Sequence, residues 1–183
     1  MKRLLWIDME MTGLDPQVNR ILEIAILITD DKLKVIDRFQ AVIRTPQSVL
    51  DQMDDWNQRT HGENGLIKEA ARGRFIQEVE VDLLTLADKH FSNKQIFLCG
   101  SSLTLDREFI NKYLPNFAKK LHYRIVDVSS WKAIFQDYLG YKYQKKDGHR
   151  AMDDIEESLR ELKFYLSFID ANKLSDVKKL GLQ

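Results

Sequence analysis

The chain has 183 residues, with 28 Lys+Arg against 28 Asp+Glu and a formal net charge of zero when its four His are neutral. Hydrophobic residues make up 44% and charged ones 31%, which excludes a disordered or fibrous chain. The charge balance speaks against a long basic groove that tracks many phosphates, and leaves open a small or cation-assisted nucleic-acid site.

A lone cysteine, Cys99, excludes an internal disulfide framework and a cysteine-cluster zinc site, and fits a reducing compartment. Cys99 reads as a small buried apolar residue. The first apolar run meets Asp8 too soon for a signal peptide, and no stretch approaches the ~20 apolar residues of a membrane span. A cytoplasmic protein without membrane contact is expected. No linker, repeat or low-complexity segment interrupts the chain, so residues 1–183 read as one domain, with a flexible tail from about residue 171.

Leu4-Leu5-Trp6-Ile7, ending in Asp8, reads as a buried strand, and Thr12-Gly13-Leu14-Asp15-Pro16 as the turn that follows. Ile21 to Thr29 and Val35 to Ile43 read as two more strands, most simply an antiparallel meander. After Pro46 the period changes: Phe75, Val79, Leu83, Leu86 and His90 recur at four and three residues, an amphipathic helix of about four turns. Gln95 to Cys99 reads as a buried strand, followed by a helix through Phe109, Ile110 and Tyr113 that stops before Pro115. Tyr123 to Val126 is a fifth short strand, and Val128–Tyr138 and Ile155–Ile169 read as helices. Three strands followed by alternating helices and strands predict an α/β fold with a mixed sheet covered by helices.

Alternate residues of a strand share a face, so Asp8 and Glu10 should project side by side at a strand end. Two carboxylates this close raise each other's proton affinity unless a cation compensates; a solvated strand end is the alternative reading. Asp106 falls in the turn or first helical turn after the strand ending at Cys99-Gly100, where a purely structural acid is also reasonable. His149 would sit on the loop entering the last helix and Asp154 on its first turns, both able to reach one point, with Asp153 facing solvent. Carboxylates without cysteine suit Mg²⁺ or Mn²⁺ rather than zinc or copper, and a neutral His beside them can take a proton from water. A pair of divalent ions there gives a phosphodiesterase site in outline.

Trp6-Ile7-Asp8-Met9-Glu10-Met11-Thr12-Gly13-Leu14, Met53-Asp54-Asp55-Trp56-Asn57, Asp127-Val128-Ser129 and His149-Arg150-Ala151-Met152-Asp153-Asp154-Ile155 resemble, in order and at compatible spacing, the oligoribonuclease family. That family is the histidine-bearing branch of the DEDD 3′-to-5′ exonucleases. The resemblance, running from about residue 4 to residue 168, implies a ribonuclease H-like fold with a mixed five-stranded sheet flanked by helices. It implies a homodimer that releases 5′-mononucleotides from the 3′ end of very short RNAs, especially dinucleotides. By position it makes Asp8, Glu10, Asp106 and Asp154 the ligands of two divalent ions and His149 the general base. Leu14 matches an apolar wedge between two bases, Trp56 the aromatic flanking them and His61 a substrate-side histidine. Ser102, Arg124 and Ser129 match a group capping the 5′ phosphate, and Tyr123 a residue reaching in from the partner subunit.

Stacking on an aromatic tolerates any base and contributes ~1–3 kcal/mol. An Arg beside two hydroxyls can grip a terminal phosphate in a bidentate geometry that Lys does not reproduce. Three segments depart from the family pattern. Cys99-Gly100-Ser101-Ser102 stands for Cys-Gly-Asn-Ser, Arg150 occupies a position where Gln is common, and Tyr141 to Lys146 differs throughout. These departures bear on how the His149 loop is held, and Lys145 and Lys146 read as solvated lysines rather than substrate contacts. A DNA-trimming exonuclease could share all five catalytic residues, and a module that binds short nucleotides without cleaving them would need no base.

Overall fold

The computed structural model describes residues 3–92, 94–144 and 150–170. His149, Lys145, Lys146 and the tail from residue 171 lie outside the described residues. Strand β1 (Leu4–Met11) runs past the apolar segment that announces it, through Asp8 and Glu10. It can do so because its odd residues Leu5, Ile7, Met9 and Met11 all bury in one apolar cluster, while Trp6 buries in another on the opposite face. Strand β2 (Ile21–Thr29) is buried at every position, and β3 (Val35–Val42) is mostly alternately half-buried and exposed, as befits an edge. Strands β4 (Ile96–Gly100) and β5 (Leu121–Asp127) complete a five-stranded sheet of order β3-β2-β1-β4-β5. The β1–β2 and β2–β3 pairs are antiparallel and the β1–β4 and β4–β5 pairs parallel, so the meander and the mixed sheet are both present.

Short helices α1 (Gln47–Leu50), α2 (Asp55–Glu63) and α3 (Leu66–Ala70) follow β3. With Met53 from the turn between α1 and α2, they bury Leu50, Leu66 and Ala70 against Leu22. The four-turn helix read from its 3–4 periodicity is α4 (Ile76–Phe91), although Phe75 lies just outside it, exposed. Helices α5 (Thr104–Tyr113) and α6 (Pro115–Ala118) lie either side of the break that Pro115 imposes. The predicted helix over 128–138 divides into α7 (Val128–Lys132) and a π-helical stretch, Ala133–Tyr138, whose wider turns let Phe135 pack against Tyr165 with centroids 4.8 Å apart. The last helix, α8 (Ala151–Leu166), stops before Ile169 because the Ser167 hydroxyl donates to the Phe164 carbonyl and the chain turns.

Helices α4, α5 and α6 cover one face of the sheet and α8 the other. The stripe Ile155, Leu159 and Leu162 on α8 buries against Trp6, Ala25 and Leu27, with Cys99 beneath it. Each such side chain stabilises by roughly 1.5–3 kcal/mol, so apolar docking fixes where the first turn of α8 meets the sheet. Burial pushes the Cys99 thiol well up, leaving it an inert apolar filler. Among the described residues no helix is long and apolar enough to cross a membrane.

Candidate active site

On β1 the even residues share the face of Trp6, so Asp8 and Glu10 point to the side that α8 covers. A register shift between Glu10 and Met11 marks a bulge beside these acids, a device that re-aims side chains. Asp154, in the first turn of α8, is carried onto them by the stripe below it. One carboxylate oxygen from each of Asp8, Glu10 and Asp154 lies within 4.8 Å of the others. Asp106 sits in the first turn of α5, outside this trio but lining the same cleft, and its carboxylate accepts the Met9 N–H.

Burial, then the neighbouring Asp154 and Glu23 carboxylates, push Glu10 up from 4.5 to about 7. Burial likewise pushes Asp106 from 3.8 to about 7. Keeping Glu10 ionised therefore costs about 3 kcal/mol, less than the apolar stripe of α8 supplies, so the fold holds the cluster together against its own repulsion. A cluster of hard oxygen donors under that electrostatic load fits a divalent cation, with Asp8, Glu10 and Asp154 as first candidates to hold it.

The cleft has a volume of about 270 Å³ and includes Asp8, Glu10, Leu14, Trp56, Asn57, Ser102 and Asp106 in its lining. Leu14 is 78% exposed and Trp56 52%, which removes both from the core and leaves two apolar surfaces over an acidic floor. Trp56 is held by the start of α2, where the Asp54 carboxylate caps the helix by accepting the Asn57 N–H at 2.8 Å and the Asn57 side-chain amide at 2.8 Å. His61 is buried one turn on, with its Nε2 3.8 Å from a Glu10 oxygen and its ring edge-on to Trp56.

Ser102 and Ser129 meet through Asp127, the last residue of β5. One Asp127 oxygen accepts the Ser102 N–H at 2.9 Å, the Ser129 N–H at 2.9 Å and the Ser129 hydroxyl at 2.6 Å. The other accepts the Leu103 N–H at 3.0 Å. That grip holds Ser102 in a left-handed backbone conformation, φ 59°, which a serine rarely adopts. Arg124 and Tyr123 stand elsewhere, exposed on edge strand β5: the guanidinium lies 5.4 Å over the Tyr123 ring, which stacks on His122 at 4.5 Å. Asp153 faces solvent as expected.

Three residues without a role in the sequence reading shape the site. Asn57 lines the cleft, and Asp127 ties the two serines together. Glu23 lies opposite Glu10 in the β1–β2 register and is fully buried. Burial alone would raise its carboxyl, but hydrogen bonds from Arg150, Gln40 and the Ala151 N–H outweigh that and hold it low. The available signal was a single acid inside the otherwise apolar run Ile21–Thr29, which demands a partner.

The mixed sheet and its strand-end acids place the protein among the exonucleases: a family model described as "RNase_T: Exonuclease" matches residues 5–162. It is similar to the mitochondrial oligoribonuclease of Homo sapiens, 37% identical over 184 residues, covering 97% of this chain and 78% of that one. Similarity to the oligoribonuclease of Bordetella pertussis is 40% over 169 residues, covering 89% and 93%. The chain belongs to the oligoribonuclease family. Exonuclease I from Methylocaldum szegediense superposes with a TM-score of 0.70 at 16% identity, over 92% of this chain and 41% of that protein. A product-bound exonuclease I gives 0.66 at 14%, over 91% and 43%. The chain spans about two-fifths of those proteins' length, and the likeness is one of fold, the ribonuclease H-like exonuclease fold. The exonuclease family is divalent-metal dependent, in keeping with the acidic cluster.

Proposed function

We propose that this protein is a metal-dependent 3′-to-5′ exoribonuclease, a single domain that reduces short oligoribonucleotides, especially dinucleotides, to 5′-mononucleotides. The carrying observation is the cluster of Asp8, Glu10 and Asp154, of which Asp8 and Glu10 line, with Asp106, a cleft whose walls include the exposed Leu14 and Trp56. Asp8, Glu10, Asp106 and Asp154 would hold two Mg²⁺ or Mn²⁺ ions. When bound, such ions supply Lewis-acid stabilisation of charge developing on the phosphoryl oxygens.

The chain's own residues do the rest. Leu14 wedges between two bases and Trp56 stacks on one, fixing the nucleotide by its faces and so accepting any base. Ser102 and Ser129, joined through Asp127, receive the 5′ phosphate and limit substrate length, and Arg124, which lies apart from them on edge strand β5, would join them only on moving from its place over Tyr123 or across a homodimer. His149 takes the proton of the attacking water, and His61, whose Nε2 lies 3.8 Å from a Glu10 oxygen, serves as the substrate-side histidine. The exposed run Tyr123-Arg124-Ile125 on the free edge of β5 supports a homodimer in which Tyr123 reaches the partner's site. The reading carries a cytoplasmic location with it.

The test is turnover on 5′-phosphorylated RNAs from dinucleotides upward, with Mg²⁺, with Mn²⁺ and with chelator, alongside matched DNA dinucleotides. The expected outcome is metal-dependent release of 5′-mononucleotides, fastest on RNA dinucleotides. Full activity after chelation, or recovery of the dinucleotide uncleaved in the presence of metal, would rule the reading out.

A further inference from the structure

We propose that Arg150 is a positioning residue for this site, tying the start of α8, and with it Asp154, to β2 and α3 through Glu23 and Glu69. The guanidinium makes a fork on each carboxylate. Its Nη2 lies 2.6 Å and its Nε 3.1 Å from the two Glu23 oxygens, while Nη2 and Nη1 lie 2.9 and 3.2 Å from those of Glu69. Glu23 is anchored in turn by the Gln40 amide at 2.8 Å.

The clamp is coupled to the site by backbone. Arg150 precedes α8 and offers no side-chain cap of its own. Glu23 replaces that cap from across the sheet, accepting the Ala151 N–H at 3.1 Å. The Arg150 carbonyl accepts the Asp154 N–H at 3.0 Å and so closes the one helical turn that carries the acid. One side chain thus sets the helical turn that brings Asp154 to Asp8 and Glu10. Lysine carries the same charge but not the planar fork, so it cannot bridge both carboxylates in this geometry.

This inference rests on the proposed role of Asp154, and the experiment separates the two levels. Arg150→Ala, Arg150→Lys and Asp154→Asn are compared in the full chain by Mn²⁺ titration calorimetry without substrate and by kcat and KM on a 5′-phosphorylated RNA dinucleotide. Positioning predicts that Arg150→Ala weakens Mn²⁺ binding and lowers kcat, each by about 10- to 100-fold, with KM nearly unchanged. Arg150→Lys, which keeps the charge beside Glu23, should fold and show the same kcat-only pattern, and it decides the matter if Arg150→Ala does not fold. Arg150 variants with wild-type Mn²⁺ affinity, or a loss confined to KM, would overturn the proposal. If Asp154→Asn itself leaves Mn²⁺ binding intact, the metal site is misassigned and the inference falls with it.

Discussion

Replacing Glu10 by Gln should make the metal-free protein more stable while destroying its activity. Glu10 titrates at about 7 in the fold against 4.5 in the unfolded chain, because burial and the Asp154 and Glu23 carboxylates oppose its charge. A raised carboxyl pKa means the native state binds more protons, so stability falls as pH rises between the two values. Below 4.5 both states hold the proton and the penalty vanishes; above about 7 it is complete. Its full size is about 3 kcal/mol, shrinking to about 1 kcal/mol near pH 5.5. For a chain of this length that corresponds to a rise in Tm of about 6–12 °C at about pH 8 for Glu10→Gln in chelator. The assay is thermal unfolding of both proteins across pH, with chelator and with Mn²⁺. Mn²⁺ should raise the wild-type Tm and leave the variant nearly unmoved, so the order reverses or closes when metal is present. A variant that melts at or below wild type in chelator near pH 8 would refute the argument, because the carboxylate would then be at no electrostatic disadvantage in the fold.

Other expectations follow from the same geometry. Trp56→Ala should raise KM for dinucleotides by about 5- to 150-fold, the equivalent of ~1–3 kcal/mol of lost stacking, with a smaller change in kcat, read by steady-state kinetics. His149→Ala should lower kcat by about 10²- to 10⁴-fold with Mn²⁺ binding intact, whereas Asp154→Asn should lose both rate and calorimetric binding. A Cβ on Gly100 would lie 2.6 Å from the Ile7 carbonyl oxygen and 2.7 Å from Leu103, so Gly100→Ala should cost about 1–3 kcal/mol in denaturant unfolding. For a substrate held at two phosphates, log affinity against log salt should fall with a slope of about −1.4, far shallower than for a long-groove binder.

The strands were legible because their apolar runs and alternation are local properties, and so was the pairing of Asp8 with Glu10 on one face. The convergence of Asp154 on them was not a property of spacing; it depends on the α8 stripe docking over Trp6 and Leu27. Helices α1 to α3 went unread because they are short, and α2 in particular is polar and buries only Asn57 and His61. The π-helical turn in 133–138 was invisible for a different reason: the same residues satisfy an α-helical pattern until Phe135 must reach Tyr165. Arg150 stood out only as a departure from the family pattern. Its meaning came from Glu23, far away in sequence and adjacent in space.

Strand β1 outruns its parallel neighbour: β4 is in register with Leu5 and Trp6 and ends at Gly100, while β1 continues to Met11. Beyond Gly100, which lies against the Ile7 carbonyl, that flank of β1 pairs with no further strand among the described residues, the kind of edge on which a foreign strand can nucleate and grow. Asp106 takes up the Met9 N–H there, and Asp8 and Glu10 charge the same stretch. The acids proposed to hold the metal therefore also charge this edge, the placement of residues that guard a strand against self-association. Variants that neutralise them to kill activity strip away that guard as well, so concentrated stocks of such inactive proteins, commonly used to trap substrate, should be watched for slow β-rich aggregation.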